Sequence, residues 1–167
     1  LLGVDAAAIG NHEFDYGALK EGGGHPLRGS IERAAPLAKY HWLAANIDEQ
    51  SEDGSLSPWQ PEGIEATVML ERSGIKIGVI GLSSGDTPQT TLRKHVADLH
   101  FRDPVETVRK LGPQLREQGA QVLVVVAHLT GSCGDGHEHD KKSDCDPDGE
   151  IGRLLTELPD GTIDVIV

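Results

Sequence analysis

Short apolar runs separated by polar, glycine-rich stretches predict alternating strands and helices. The segment Gln121–Ala127 is apolar and β-branched almost throughout, which is typical of a core strand. The runs Thr67–Glu71 and Ile75–Leu82 are separated only by Arg72-Ser73-Gly74, which predicts a hairpin. Similar runs predict strands at Val4–Ile9, Tyr40–Ile47 and, as a buried strand, Ile163–Val167.

The clearest helix signal covers Asp103–Gln118. Asp103 is a candidate N-cap, Pro104 suits the first helical position and Glu106 completes a pattern like a capping box. Gly112-Pro113 lies inside this segment and predicts a break or kink. Further helices are predicted at Tyr16–Leu19, Ser30–Lys39 and, capped by Asp148, Glu150–Leu158.

Groups able to do chemistry concentrate directly after the first strand, in Gly10–Gly17. An amide (Asn11), an imidazole (His12) and two carboxylates (Glu13 and Asp15) lie between glycines that permit tight turns. His12 can exchange a proton near neutral pH, and Asp15 can hold one of its ring nitrogens. Loops after strand ends are where α/β sheets bind ligands. The alternative is a simple turn and helix cap, with His12 exposed to solvent.

The run Gly10-Asn11-His12-Glu13-Phe14-Asp15 resembles the signature of the calcineurin-like metallophosphoesterases, and Tyr16-Gly17 extends the likeness to their 5′-nucleotidase and UDP-sugar hydrolase branch. The resemblance implies an α/β fold in which a β-sandwich is flanked by helices. It implies that Asn11 is a metal ligand, that His12 contacts the phosphoryl group, and that Asp15 orients His12. Glu13 is expected to bond the loop backbone.

His128, at the end of the predicted core strand, occupies the place of a metal-binding histidine in that family. The resemblance implies two divalent cations, with zinc, manganese, cobalt and magnesium left open. It implies hydrolysis of a nucleoside 5′-monophosphate by an activated water. Cyclic nucleotides, nucleotide-sugar pyrophosphates and thiosulfate esters remain alternative substrates. A secreted binding protein with a degenerate site is the alternative from another class.

Three other segments carry weaker signals. The run Ala44-Ala45-Asn46-Ile47 resembles a strand of that family. We expect Asn46 either near the rim of the site, as the resemblance implies, or in an ordinary strand-end turn. Asp48–Gly63 is polar and predicts a surface excursion, in which Trp59 packs as a lid. The loop Ser83–Thr91 is expected to cover an edge of the site.

The charge narrows the choice of partners. The chain has 167 residues, with 27 acidic against 15 basic side chains and a net charge of −12. This excess argues against binding nucleic acid or an anionic membrane. An acidic protein that acts on phosphates needs cations at its site, which the implied metals would supply. The expected partner is therefore a small phosphate ester, and the residues contain no membrane segment.

The cysteines Cys133 and Cys145 bracket a polar insertion, and the chain has no others. We expect them to form a disulfide, which indicates a periplasmic or extracellular location. A zinc site that adds His137 and His139 is the alternative, although this spacing is not a standard one. The family pattern also places further metal-binding blocks before and after this sequence. We therefore expect residues 1–167 to be a partial catalytic domain that is inactive alone.

Overall fold

The computed structural model describes residues 3–17, 27–133 and 145–167. Its strands are β1 (Ala6–Ala8), β2 (His41–Leu43), β3 (Ile47–Gln50), β4 (Leu56–Pro58), β5 (Ile64–Glu65), β6 (Thr67–Arg72), β7 (Ile75–Ser83), β8 (Leu99–Phe101), β9 (Val122–His128) and β10 (Val165–Ile166). Its α-helices are α1 (Gly29–Ala34), α2 (Thr87–Thr90), α3 (Pro104–Glu117) and α4 (Glu150–Glu157). Short 3₁₀ turns cover Asn11–Phe14, Ala35–Leu37 and Arg93–His95.

The described strands form three sheets. The largest has the order β10-β9-β7-β6, with β9 parallel to β7 and β10, and β6 antiparallel to β7. A parallel sheet of β1, β2 and β5 packs against it through β1 and β2. An antiparallel sheet joins β4, β3 and β8. Packed sheets with helices against them confirm the predicted α/β fold class.

The core has two apolar clusters. One lies where α3 and α4 cover the largest sheet, and includes the fully buried Val108, Leu123 and Leu154. The other surrounds Phe14 and Trp59. Leucine and aromatic side chains of this size each contribute about 1.5–3 kcal/mol on full burial. The fold therefore rests on two packed regions, and Phe14 connects the active-site candidate loop to the second of them.

Close packing between β2 and β7 explains a glycine in the middle of a strand. A methyl group at Gly81 would lie 2.1 Å from Leu43 Cβ and 2.8 Å from the Leu43 carbonyl oxygen. No backbone rearrangement short of separating the strands would relieve such an overlap. Glycine at this position therefore allows the parallel sheet of β1, β2 and β5 to pack closely against the largest sheet.

Two local predictions are confirmed. The hairpin turns through Ser73 and Gly74, both with positive φ (52° and 79°), as a two-residue turn between β6 and β7 requires. The Asp103 carboxylate accepts a hydrogen bond of 3.1 Å from the Glu106 amide at the start of α3. In the described residues, no helix has both the length and the apolar character needed to cross a membrane.

Of the predicted break or kink at Gly112-Pro113, the break is wrong, because α3 runs through both residues; the kink stays a prediction. Pro113 forfeits one hydrogen bond of the helix. The helix is nevertheless held on the sheet by its buried face, which includes Val105, Val108 and Leu115. Gly112 contributes to this packing, since a methyl group there would lie 3.3 Å from Leu123 Cδ2.

The single strand predicted at Tyr40–Ile47 is also wrong. The chain forms β2, then crosses to another sheet and forms β3. Ala44–Asn46 makes the crossing, because the Ala44 amide bonds the Glu65 carbonyl and the Ala45 amide bonds the Gly81 carbonyl. The run Tyr40–Ile47 is apolar because residues before and after this crossing are buried, and not because they form one strand.

Three further expectations need correction. Gly149, rather than Asp148, precedes the first turn of α4, and no side chain caps it. The last strand is short and lies at a sheet edge, with Val165 45% and Val167 72% exposed, so it is not buried. Tyr16 lies in a turn and Gly17 has a φ of +50°, so neither residue is helical. The rest of that predicted helix lies outside the described residues.

Candidate active site

The loop Gly10–Gly17 is held at its base by a buried aromatic ring. Phe14 is fully buried, and its ring centroid lies 5.5 Å from that of Trp59, which is itself 1% exposed. The Glu13 carboxylate accepts a hydrogen bond of 2.7 Å from the Gly10 amide, as expected for a structural role. Trp59 is therefore a core residue, as its predicted packing role requires. With Phe14 and Glu13 used for anchoring, the polar side chains of Asn11, His12 and Asp15 are left for chemistry.

Both glycines that bound the loop meet a histidine. A methyl group at Gly10 would lie 3.1 Å from Cγ and Nδ1 of His128. At Gly17 it would lie 2.3 Å from Nε2 of the buried His95, and φ is positive there. His95 Nδ1 also lies 2.7 Å from the Phe14 carbonyl oxygen, to which it donates. Glycine is thus needed for the loop backbone to approach both imidazole rings.

His12 and Asp15 form a hydrogen-bonded pair on the outer side of the loop. His12 Nδ1 lies 2.7 Å from Asp15 Oδ2, and the His12 side chain is 76% exposed. Because a carboxylate only accepts, Nδ1 carries the proton in this contact. The hydrogen bond and the charge of Asp15 raise the pKa of His12. The same hydrogen bond, together with one from Thr91, lowers the pKa of Asp15.

Asn11 and His128, the two predicted metal ligands, come together at one cavity of about 140 Å³. The two strands β7 and β9 bring this about, because Ser83 pairs with His128 at their carboxyl ends. The loop after β1 closes the cavity from the other side. The remaining wall consists of Ser84, Thr87, Thr90, Leu129 and Thr130. The loop predicted at Ser83–Thr91 thus borders this cavity, partly as α2.

The orientation of Asn11 suits a cation. Its amide nitrogen donates to the Thr90 carbonyl oxygen at 3.0 Å, and no donor within the described residues engages Oδ1. The His128 side chain is exposed at the end of β9. One amide oxygen and one imidazole fit a site with mixed oxygen and nitrogen ligands. Residues 3–17, 27–133 and 145–167 contain no cluster of three or more acidic, histidine or cysteine side chains for a metal.

Asn46 lies in the turn between β2 and β3, as one of the two expectations has it, and it does not line the cavity. It is fully buried, and its amide nitrogen donates to the carbonyl oxygens of Ser83 (2.7 Å) and Arg102 (2.9 Å). Its Oδ1 accepts from the Ser83 amide at 2.9 Å. Ser83 Oγ in turn donates to the Ile9 carbonyl oxygen at 2.7 Å. Asn46 therefore braces the end of β7 beside the cavity from the protein interior.

Glu150 is a second brace, which the sequence did not single out. Its Oε1 accepts from the Gly85 amide at 2.7 Å, and its Oε2 accepts from the amide (2.8 Å) and hydroxyl (2.9 Å) of Thr130. These bonds tie together the segments that follow β7 and β9, on either side of the cavity. An acid at a helix start is ordinarily interpreted as a partner of its own helix, so the sequence offers no signal for this role.

Cys133 and Cys145 are joined in a disulfide, which confirms the predicted pairing. Neither sulfur is then a thiolate, so a zinc site built on both cysteines is wrong. His137 and His139 lie outside the described residues. The bond links the segment after β9 to the segment before α4, where the Asp146 amide also donates to the Ser132 carbonyl oxygen at 2.8 Å. Closing a loop of this length contributes about 3 kcal/mol in the chain-entropy model.

No family model matches this chain. It is similar to the 5′-nucleotidase of Vibrio vulnificus, with 30% identity over 167 residues, 99% of this chain and 26% of that protein. It is also similar to cell wall protein Lmo0130 of Listeria monocytogenes, with 27% identity over 181 residues, 99% of this chain and 22% of that protein. The chain thus spans about a quarter of the length of these curated relatives.

Among solved structures, the fold is similar to that of the calcineurin-like phosphoesterase YfkN from Bacillus subtilis. The TM-score is 0.61 at 20% sequence identity, and the match covers 97% of this chain and 43% of that structure. At this level of identity, the likeness concerns the fold alone. It extends over nearly the whole chain, including the strands that end at the cavity.

Proposed function

We propose that the protein is a member of the 5′-nucleotidase branch of the calcineurin-like metallophosphoesterases, which its similarity to a 5′-nucleotidase supports, and that it hydrolyses the phosphomonoester of nucleoside 5′-monophosphates. The observation that carries this proposal is the arrangement at the loop after β1. A hydrogen-bonded His12–Asp15 pair stands next to Asn11, which shares a cavity with His128. A proton donor beside two candidate metal ligands suits the hydrolysis of a phosphate ester.

Two divalent cations would be held in part by Asn11 Oδ1 and by a ring nitrogen of His128. Zinc, manganese, cobalt and magnesium are the candidate ions, and they differ in their affinity for amide oxygen and imidazole nitrogen. When bound, the cations would neutralise phosphoryl oxygens and lower the pKa of the attacking water. Asn11 is prepared for this role because its amide nitrogen is already occupied by the Thr90 carbonyl oxygen.

His12 would act on the transferring phosphoryl group directly. With Nδ1–H donated to Asp15, the outward-facing Nε2 is the nitrogen that meets the substrate. In the imidazolium form, which the raised pKa of His12 favours, Nε2–H would donate to a phosphoryl oxygen or protonate the leaving oxygen. Asp15 would position this ring and preserve its orientation through the reaction.

The test uses the complete natural protein, with AMP and p-nitrophenyl phosphate as substrates and added Mn²⁺, Co²⁺ or Zn²⁺. We expect turnover that depends on metal and stops with a chelator. His12→Ala should lower kcat by about 10²–10⁴, the usual range for a positioned acid–base group. Its bound metal, measured by elemental analysis, should be unchanged because His12 is not a ligand.

His41→Ala serves as the matched control, because His41 is exposed and pairs with Glu65 at the start of β2. Its turnover should equal that of the unmodified protein. Full turnover in His12→Ala would contradict the role assigned to that residue. Absence of metal-dependent hydrolysis in the unmodified protein would leave a binding protein with a degenerate site as the better interpretation.

We further propose a periplasmic or extracellular location. The disulfide between Cys133 and Cys145 supports this, since such bonds persist in oxidising compartments. Similarity to a protein named for the cell wall points the same way. Nucleoside monophosphates would then be met outside the cytosol, and the excess of acidic side chains agrees with a small phosphate ester as the partner.

A further inference from the structure

The end of α2 contacts two functional side chains of the candidate loop through two consecutive residues. The Thr90 carbonyl oxygen accepts from the Asn11 amide at 3.0 Å. The Thr91 hydroxyl donates to Asp15 Oδ1 at 2.8 Å. Thr91 lies 76 positions from Asp15 in the sequence, so this contact exists only in the folded chain.

With the Thr91 contact, both oxygens of the Asp15 carboxylate accept a hydrogen bond. Oδ2 already accepts from His12 Nδ1 at 2.7 Å, and Thr91 supplies the donor for Oδ1. The Asp15 side chain is 36% exposed, so without Thr91 it would be free to rotate into solvent. With both oxygens bonded, the plane of the carboxylate is fixed, and the plane determines where the His12 ring points.

Thr91 is itself well placed to act as a rigid support. It is partly buried, and its amide donates to the Thr87 carbonyl oxygen at 3.2 Å, which ends α2. Its β-branched side chain has few accessible rotamers, so the hydroxyl is held in one direction. The loop is anchored separately by Phe14 and Glu13. Loss of the hydroxyl alone should therefore leave the backbone of the loop in place.

We propose that Thr91 is a positioning residue that fixes the Asp15 carboxylate and, through it, the tautomer and direction of His12. The effect of Thr91 on turnover rests on the proposed function. The hydrogen bond between Thr91 and Asp15 is independent of that function. Among the described residues, the Thr91 hydroxyl bonds Asp15 and neither of the candidate metal ligands. It supports the proton donor in the way that outer residues support a metal-bound histidine.

The first test is spectroscopic and needs no activity. Long-range ¹H–¹⁵N spectra of the complete protein report which nitrogen of neutral His12 carries the proton. The unmodified protein should show Nδ1–H alone, Thr91→Val should show a mixture of both tautomers, and Thr91→Ser should restore Nδ1–H. An unchanged tautomer in a folded Thr91→Val protein would overturn the proposal.

The second test is a double-mutant cycle on AMP hydrolysis. Thr91→Val should lower kcat about tenfold with little change in KM, within the range known for a displaced catalytic group. In a His12→Ala background the same substitution should have no further effect, because its influence passes through His12. Equal losses in both backgrounds would show a general structural role and would also overturn the proposal.

Thr156→Val is the matched control for removal of a threonine hydroxyl. That hydroxyl donates to the Gly152 carbonyl oxygen within α4 and lies outside the candidate site, so turnover and the His12 tautomer should not change. If the unmodified protein hydrolyses no phosphate ester, the proposed function fails. The tautomer comparison still decides the role of Thr91 in that case.

Discussion

Replacing Asn46 with alanine should loosen the end of β7 beside the candidate metal ligand His128. The Asn46 side chain makes hydrogen bonds to the amide and carbonyl of Ser83 and to the carbonyl of Arg102, all away from solvent. Alanine can replace none of these bonds. Ser83 would keep its pairing with His128 and its hydroxyl bond to the Ile9 carbonyl oxygen.

The expected loss of stability follows from the number of groups left without partners. A buried amide or carbonyl whose partner is removed costs about 1–3 kcal/mol, and such penalties overlap when the groups are neighbours. Three groups at adjacent positions give about 2–4 kcal/mol for the local free energy of opening. At about 1.4 kcal/mol per factor of ten, exchange of the Ser83 amide hydrogen should accelerate about 30- to 700-fold.

Hydrogen exchange resolved to single amides is the direct assay, because the Ser83 amide donates to the Asn46 side chain itself. Gln50→Ala, which removes an exposed amide side chain from β3, is the control and should leave exchange unchanged. Asn46→Ser, with a shorter polar group, should fall between alanine and asparagine. Native-like protection of Ser83 in a folded Asn46→Ala protein would refute the reasoning.

Two further predictions concern the candidate site and its surroundings. Asp15 raises the pKa of His12, so the imidazolium persists to higher pH. Asp15→Asn should therefore move the alkaline limb of the pH dependence of kcat to lower pH. An alkaline limb at the same pH would contradict the role of the His12–Asp15 pair. Peptide mass spectrometry without reduction should find Cys133 linked to Cys145 in protein isolated from its natural compartment, whereas two thiols open to alkylation would remove the argument for location.

Structural features that are determined by residues adjacent in the sequence could be predicted from the sequence. The hairpin turn needs only two residues that accept positive φ, and Ser73-Gly74 supplies them. Helix α3 is specified at its start by Asp103 and Pro104. The split between β2 and β3 was not predictable, because it depends on which distant strands pair with each half of an unbroken apolar run.

The same distinction applies to the site. Asn11, His12 and Asp15 lie in one loop, so their association could be predicted from their spacing. The contacts of Thr91 and Glu150 join segments that are far apart in the sequence. Nothing local distinguishes Thr91 from Thr90, although one contributes its hydroxyl and the other its carbonyl oxygen. Only tertiary geometry assigns these roles, and it also buries the Asn46 side chain against the end of β7.

The distance in sequence between Asn11 and His128 has a consequence for the order of folding. More than one hundred residues separate them, and the cavity they share closes only when β9 has paired in parallel with β7. Contacts of such long range form slowly, because the chain loses entropy before they stabilise it. The cavity should therefore assemble among the last features of this region. Under the proposed function, metal ions would stabilise the finished fold rather than start its formation, and a nascent chain would bind none at this cavity until β9 is in place.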